Sequence, residues 1–112
     1  MVRFYLESLV EGGRQLRRIA VHPLPFRVGR TPGLSLSLAS ESVSKEHAEI
    51  VMREDALYVQ DLGSKNGTFL KEARVTAPVA LANGDAIRVG SVALTVRKVS
   101  TSASTVTDTG SP

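Results

Sequence analysis

The sequence predicts an all-β domain, a sandwich of short strands, and three observations carry that prediction. Turn signals built from Gly, Pro, Asn and Asp recur about every ten residues. Between them, apolar and polar residues alternate with the period of two that a half-buried strand requires. No segment holds the helical period for three turns, because glycine or proline interrupts every candidate helix.

The strands follow in order. VRFYLESLV at 2–10 opens with alternation and carries aromatic and β-branched residues, and 18–21 is a second strand. PFRVGR at 25–30 is a third, stopped by Gly29. LSLSL at 34–38 alternates strictly. HAEIVM at 47–52 and ALYVQDL at 56–62 flank the polar turn Arg53-Glu54-Asp55 and read as a hairpin. Thr68 to Leu70 is short. PVAL at 78–81, DAIRV at 85–89 and VALTVRKV at 92–99 complete the set, separated by Asn83-Gly84 and Gly90-Ser91. Residues 100–112, STSASTVTDTGSP in the run that closes the sequence with Ser100, bury too little apolar surface to offset their ordering entropy. The expected organisation is one folded domain at 1–99 and a disordered Ser/Thr-rich tail or linker at 100–112.

Composition narrows the function. At 112 residues with 42% apolar content, the chain suits one globular domain. No apolar run approaches the roughly 20 residues of a membrane span, and the N-terminus does not read as a signal peptide. The absence of cysteine excludes disulfides, thiolate zinc sites and thiol catalysis, and a cytoplasmic location is expected. No cofactor or metal site is indicated. Ten arginines and four lysines against eleven acids give a net charge of +3. Arg14, Arg17 and Arg18 form the only dense cluster, and they read as solvated turn residues beside Gly12-Gly13. There is no basic helix, and aromatics are 4% of the chain, so nucleic acid is not the expected partner. The surplus of positive charge favours an acidic or phosphorylated one.

Three loops carry residues that a plain sandwich does not need: Gly29 to Gly33, Ser40 to His47 and Gly63 to Thr68. Loops of an antiparallel sandwich can gather at one end. Pooled, they offer Arg30, Lys45 and Lys65 as cations and Ser44, Ser64 and Asn66 as neutral hydrogen-bonding groups. Arginine presents a planar fork to phosphate oxygens, lysine a point charge and hydroxyls short donors. Asparagine can donate and accept at once, as a peptide backbone requires. The inventory suits a phosphoryl group on an extended peptide.

The same stretches carry a family resemblance. FRVGR (26–30), SVSKEHAEI (42–50), VQDLGSKNGTFL (59–70) and LANGDAIRVGSVAL (81–94) occur in the order and spacing of the forkhead-associated (FHA) domain, which the sequence resembles from about Pro25 to Val96. The resemblance implies a β-sandwich of about eleven mostly antiparallel strands with the ligand loops at one end, binding phosphothreonine in an extended partner segment. It implies phosphopeptide contacts at Arg30, at the Ser44 hydroxyl and amide, and at Lys45, Lys65 and Asn66; Ser64 is grouped with them. Gly29, His47, Gly63, Gly67 and Thr68 match positions that shape the loops. There are two departures. Where the family continues with a second Asn-Gly turn, this chain has Lys71-Glu72, so a turn of different form is expected. Where some members carry an arginine that selects an acidic ligand residue, this chain has Ser42.

Other readings are weaker. Ser44, His47 and Asp61 could be taken as a nucleophilic triad, but no Gly-x-Ser-x-Gly elbow accompanies them, and an enzyme is not expected. A phosphorylation-independent interaction scaffold is the alternative, and retention of Arg30, Ser44 and Asn66 argues against it. Finally, Asp108 lies three residues after Thr105, which raises head-to-tail self-association through phosphorylated Thr105. The plainer reading is a linker with threonines by composition.

Overall fold

The structure, a computed structural model, describes residues 2–9 and 16–100. Eleven strands form two sheets: β1 (Val2–Leu9), β2 (Leu16–Ala20), β3 (Phe26–Gly29), β4 (Leu36–Ser37), β5 (Ala48–Arg53), β6 (Ala56–Asp61), β7 (Thr68–Leu70), β8 (Ala73–Arg74), β9 (Val79–Ala80), β10 (Ala86–Val89) and β11 (Val92–Ser100). One sheet has the order β2-β1-β11-β10-β7-β8, the other β4-β3-β5-β6-β9. Every strand pairing among the described residues is antiparallel except β3 with β4, which is parallel through Val28 opposite Leu36. The all-β expectation and the strand count hold. Arg14 and Thr105, singled out in the sequence, lie outside the described residues.

The period of two places Leu6, Leu94, Val96 and Ile87 on the inner face of the six-stranded sheet. Phe26, Val28, Ile50, Leu57 and Val59 do the same for the other, and the two sets form one core. Outward positions carry charge in pairs. Glu7 on β1 is held between Arg18 on β2 at 2.8 Å and Arg97 on β11 at 2.9 Å. Arg27 on β3 bonds Glu49 on β5 at 2.8 Å. These hydrogen bonds hold both carboxyls below the usual glutamate range, led by Arg97 at Glu7 and by Arg27 at Glu49.

The strands differ from the sequence reading where local chemistry competes with pairing. The alternation at 34–38 yields only Leu36–Ser37 as strand. Upstream, the Ser35 hydroxyl accepts the Arg27 amide at 3.0 Å, so a side chain takes the place of a ladder bond. β8 is two residues long, too short to show a period. The hairpin turn of β5–β6 is the pair Glu54-Asp55, at φ 49° and 69°. Lys71-Glu72 repeats that geometry between β7 and β8, at φ 51° and 71°. This corrects the expectation of a different turn: the pair takes the doubly left-handed form in which Asn-Gly is favoured, because a two-residue connection between twisted strands demands it.

Left-handed backbone costs a β-carbon-bearing residue about 1–2 kcal/mol. Replacing Lys71 by Asn and Glu72 by Gly together should therefore raise unfolding stability by about 1 kcal/mol, less the small loss of the Lys71–Asp85 contact. Chemical denaturation of the double variant against the parent reads the change; unaltered or lower stability contradicts it.

Candidate functional site

The three polar loops meet at one end of the sandwich, and backbone bonds zip them together. The Arg30 amide donates to Ser44 O at 2.9 Å and the Thr31 amide to Lys45 O at 3.2 Å, joining the β3–β4 loop to the β4–β5 loop. Gly29 allows that approach: a β-carbon there would fall well inside van der Waals contact of the Lys45 carbonyl oxygen. The third loop joins through side chains. The Lys65 amide donates to the Ser44 hydroxyl at 3.0 Å, and Asn66 Nδ2 donates to Ser42 O at 2.8 Å.

His47 is the buried rivet under this junction. It has no exposed surface. Its Nδ1 accepts the Ser44 amide at 2.9 Å. That leaves Nε2 as the protonated nitrogen, which donates to Gly67 O at 2.8 Å. One ring thus ties the β4–β5 loop to the Asn66-Gly67 turn. The Ser44 amide, which the resemblance assigned to phosphate, is engaged by His47, while the Ser44 hydroxyl accepts the Lys65 amide and has no acceptor for its own proton among the described residues.

Asp61 organises the third loop from below. Its carboxylate accepts the Gly63 and Ser64 amides at 3.0 and 2.9 Å, the Ser64 hydroxyl at 2.6 Å and the Thr68 hydroxyl at 2.7 Å. Burial alone would push the Asp61 carboxyl up. The donors from Ser64, Thr68 and Gly63 outweigh it and hold the group below its ordinary value. Ser64, grouped with the ligand contacts in sequence, has a committed hydroxyl: it donates to Asp61 and accepts the Gly67 amide at 2.9 Å. Its position is that of a brace. Gly63 and Gly67 have φ of 78° and 90°, which bend the loop around the carboxylate. Thr68 is fully buried at the start of β7.

The outer surface is cationic. Arg30 donates through Nε to Val43 O at 3.0 Å, which fixes the plane of the guanidinium and leaves its terminal nitrogens without a protein partner among the described residues. The ammonium groups of Lys45 and Lys65 are exposed and likewise unpaired there. An open cleft of about 350 Å³ is lined by Arg30, Thr31, Pro32 and Lys45. The structure therefore brings Arg30, Ser44, Lys45, Lys65 and Asn66 to one surface, with Gly29, His47, Gly63, Ser64, Gly67 and Thr68 beneath or within the loops. Three contributors were not read from the sequence. Thr31 lines the cleft. Gly90 packs so closely on Ser42 O that a β-carbon would collide, and its amide donates to Gly67 O at 3.1 Å. Arg74 lies beside Gly67. Only the Gly90-Ser91 turn signal was available in advance, and it gave no hint of the contact. The Ser44-His47-Asp61 set does not form a triad: His47 bonds the serine amide, not its hydroxyl, and the Gly67 carbonyl, not Asp61.

The sequence model of the FHA domain matches residues 26–90, more than half of the chain, and the chain belongs to the FHA domain family. Among curated proteins it is 37% identical over 89 residues to the FHA domain-containing protein FhaB of Mycobacterium tuberculosis, a match covering 80% of this chain and 57% of that protein. The chain thus matches little more than half the length of that relative. A structure described as phosphothreonine-dependent FHA domain interactions superposes with a TM-score of 0.74 at 29% identity, covering 85% of this chain and 95% of the other. Mycobacterium tuberculosis EmbR in complex with a low-affinity phosphopeptide superposes with a TM-score of 0.76 at 29% identity, covering 85% of this chain and 24% of EmbR.

The depressed Asp61 value sets a pH dependence. Its contribution is fully present above the ordinary aspartate value of about 3.9 and is lost as pH falls through the lower folded value. Amide exchange at Gly63, Ser64 and Gly67 should therefore accelerate below pH about 4, once intrinsic exchange is corrected for. Asp61→Asn should cost about 1–3 kcal/mol at neutral pH, because an amide group then faces donors. Unchanged exchange and stability would refute the brace.

Proposed function

We propose that this chain is a signalling or adaptor module that recognises phosphothreonine in an extended segment of a partner protein. The observation that carries the reading is the convergence of three loops on Ser44, whose carbonyl accepts the Arg30 amide at 2.9 Å and whose hydroxyl accepts the Lys65 amide at 3.0 Å, with the side chains of Arg30, Lys45 and Lys65 exposed on the same loops and without carboxylate partners among the described residues. A phosphoryl group brings close to two negative charges and three acceptor oxygens. Arg30 would bind it through its free fork, Ser44 through its hydroxyl proton, and Lys45 and Lys65 as point charges. Asn66, anchored to Ser42 O, has its amide oxygen open to a ligand backbone N–H. Phosphothreonine-dependent recognition in a structural relative supports transfer of the ligand class.

Binding rather than catalysis is the function that fits, since the ring of His47 is committed to loop contacts and has no route to the Ser44 hydroxyl proton. A phosphorylation-independent scaffold is disfavoured by cations left exposed and without carboxylate partners, among the described residues, on the loops that meet. The proposed location is the cytoplasm, consistent with a cysteine-free chain. Among the described residues no helix is long and apolar enough to cross a membrane.

Arg30→Ala and Ser44→Ala should each weaken binding to a phosphothreonine peptide by about 1.5–3 kcal/mol, the range for hydrogen bonds to charged groups. The matching phosphoserine peptide should bind more weakly, by about 0.8 kcal/mol for the missing methyl. Calorimetric titration with phosphorylated and plain peptides reads both. Equal affinity for the phosphorylated and plain forms removes the proposal in favour of the scaffold.

A second copy of this chain carrying phosphorylated Thr105 has the chemistry of a partner. Protein bearing authentic phosphothreonine at 105 should associate with rising concentration in sedimentation experiments, and Arg30→Ala should abolish it. A strict monomer at high concentration ends the self-association arm and leaves the rest of the reading in place.

A further inference from the structure

The phosphate-facing cations do not exhaust the positive charge at this end of the molecule. β8 is the edge of the six-stranded sheet, and its Arg74 stands opposite Phe69 on β7, which stands opposite Arg88 on β10. Inward-facing neighbours Thr68, Ile87 and Val89 put this Arg-Phe-Arg row on the outer face. The row abuts the recognition turn. A β-carbon built on Gly67 would lie 3.0 Å from the Phe69 ring and 3.3 Å from the Arg74 guanidinium carbon. Arg88 stacks over Phe69 at 4.1 Å from the ring centroid and donates to Gly90 O at 2.9 Å, and the Gly90 amide in turn reaches Gly67 O. Both guanidinium groups are therefore built against the turn that presents Asn66.

Their charge is poorly neutralised. Glu72 is exposed and lies 3.9 Å from Arg88. Arg74 has no hydrogen-bond or ion-pair partner among the described residues. Asp61 lines the adjoining cleft with Arg74, Gln60 and Thr76, but its oxygens are already occupied by four donors from its own loop. An exposed arginine without a partner is common. This one differs in standing in contact range of the Asn66-Gly67 turn. Ser42, on the other flank of the turn, is uncharged and bonded to Ser40 and Ser91.

We propose that Arg74, supported by Arg88 across the Phe69 ring, reads a second anionic side chain of the ligand, flanking the phosphothreonine. The inference rests on the phosphothreonine reading and adds a specificity-determining residue to it. The group recognised is an oxyanion, either a carboxylate or a second phosphoryl group. A planar guanidinium can meet both bidentately.

The test uses phosphothreonine peptides with uncharged flanks and derivatives carrying one aspartate, or one phosphoserine, at each neighbouring position. Affinities are measured for the parent, R74Q and R74K at low and moderate salt. In the parent, an acid at one position should improve affinity roughly three- to fivefold over the uncharged peptide, as expected of an exposed ion pair. In R74Q that ratio should fall to about one, R74K should restore part of it, and added salt should shrink it. A larger ratio for phosphoserine than for aspartate at that position identifies the phosphoryl source; equal ratios identify the carboxylate as sufficient. No favoured position in the parent, or an unchanged ratio in R74Q, overturns the role of Arg74. Absence of phosphate-dependent binding by any peptide overturns the underlying reading, and this inference with it.

Discussion

The recognition end of this domain depends on one buried imidazole. His47 accepts from the Ser44 amide and donates to the Gly67 carbonyl 20 residues further along the chain, so it fixes two loops against each other. A side chain with one donor and one acceptor at opposite ends of a rigid ring suits that task. Burial makes it demanding: each bond is unscreened, and loss of either partner leaves a desolvated polar group. Ser44 is positioned because its amide is pinned from beneath, and Asn66 because the turn it heads is pinned at Gly67.

Around that rivet, two glycines let backbone segments touch. Gly29 meets the Lys45 carbonyl and Gly90 meets the Ser42 carbonyl, both at distances that exclude a β-carbon. Loops joined this closely carry little conformational freedom to lose on binding. A surface ordered in advance spends less of its binding energy on being ordered. Asp61 performs the equivalent task for the third loop with a charge in place of close packing. Its carboxylate gathers four donors and stays ionised through their hydrogen bonds.

Charge is distributed in two ways over the molecule. Along the sheet faces, Glu7 is clamped by Arg18 and Arg97, and Arg27 holds Glu46 and Glu49. On the three loops Arg30, Lys45 and Lys65, and on β8 Arg74, are exposed and have no carboxylate partner among the described residues. Exposed cations cost little to maintain in water and attract an anion over about a Debye length, roughly 8–10 Å.

The sequence by itself determined the sandwich, most strand positions and the identity of the loops. Alternation at the start of 2–10 and the polar turns that bound 47–52 and 85–89 need no partner strand to be read, and Gly63 to Gly67 announces a bend through residues that tolerate left-handed backbone. The family followed from four motifs in order. Tertiary structure alone decided which polar groups are spent and which are free. Ser64 looked like a ligand contact because a hydroxyl beside a cation is ambiguous in one dimension; in space Asp61 and Gly67 consume it. The Ser44 amide was expected to face phosphate, and His47 takes it. Arg74 carried no signal, since a two-residue edge strand has no period, and its neighbour Gly67 is brought to it by the β7–β8 turn and not by any motif. Hydrogen-bond capacity is a property of the residue, but its allocation belongs to whatever the fold sets beside it.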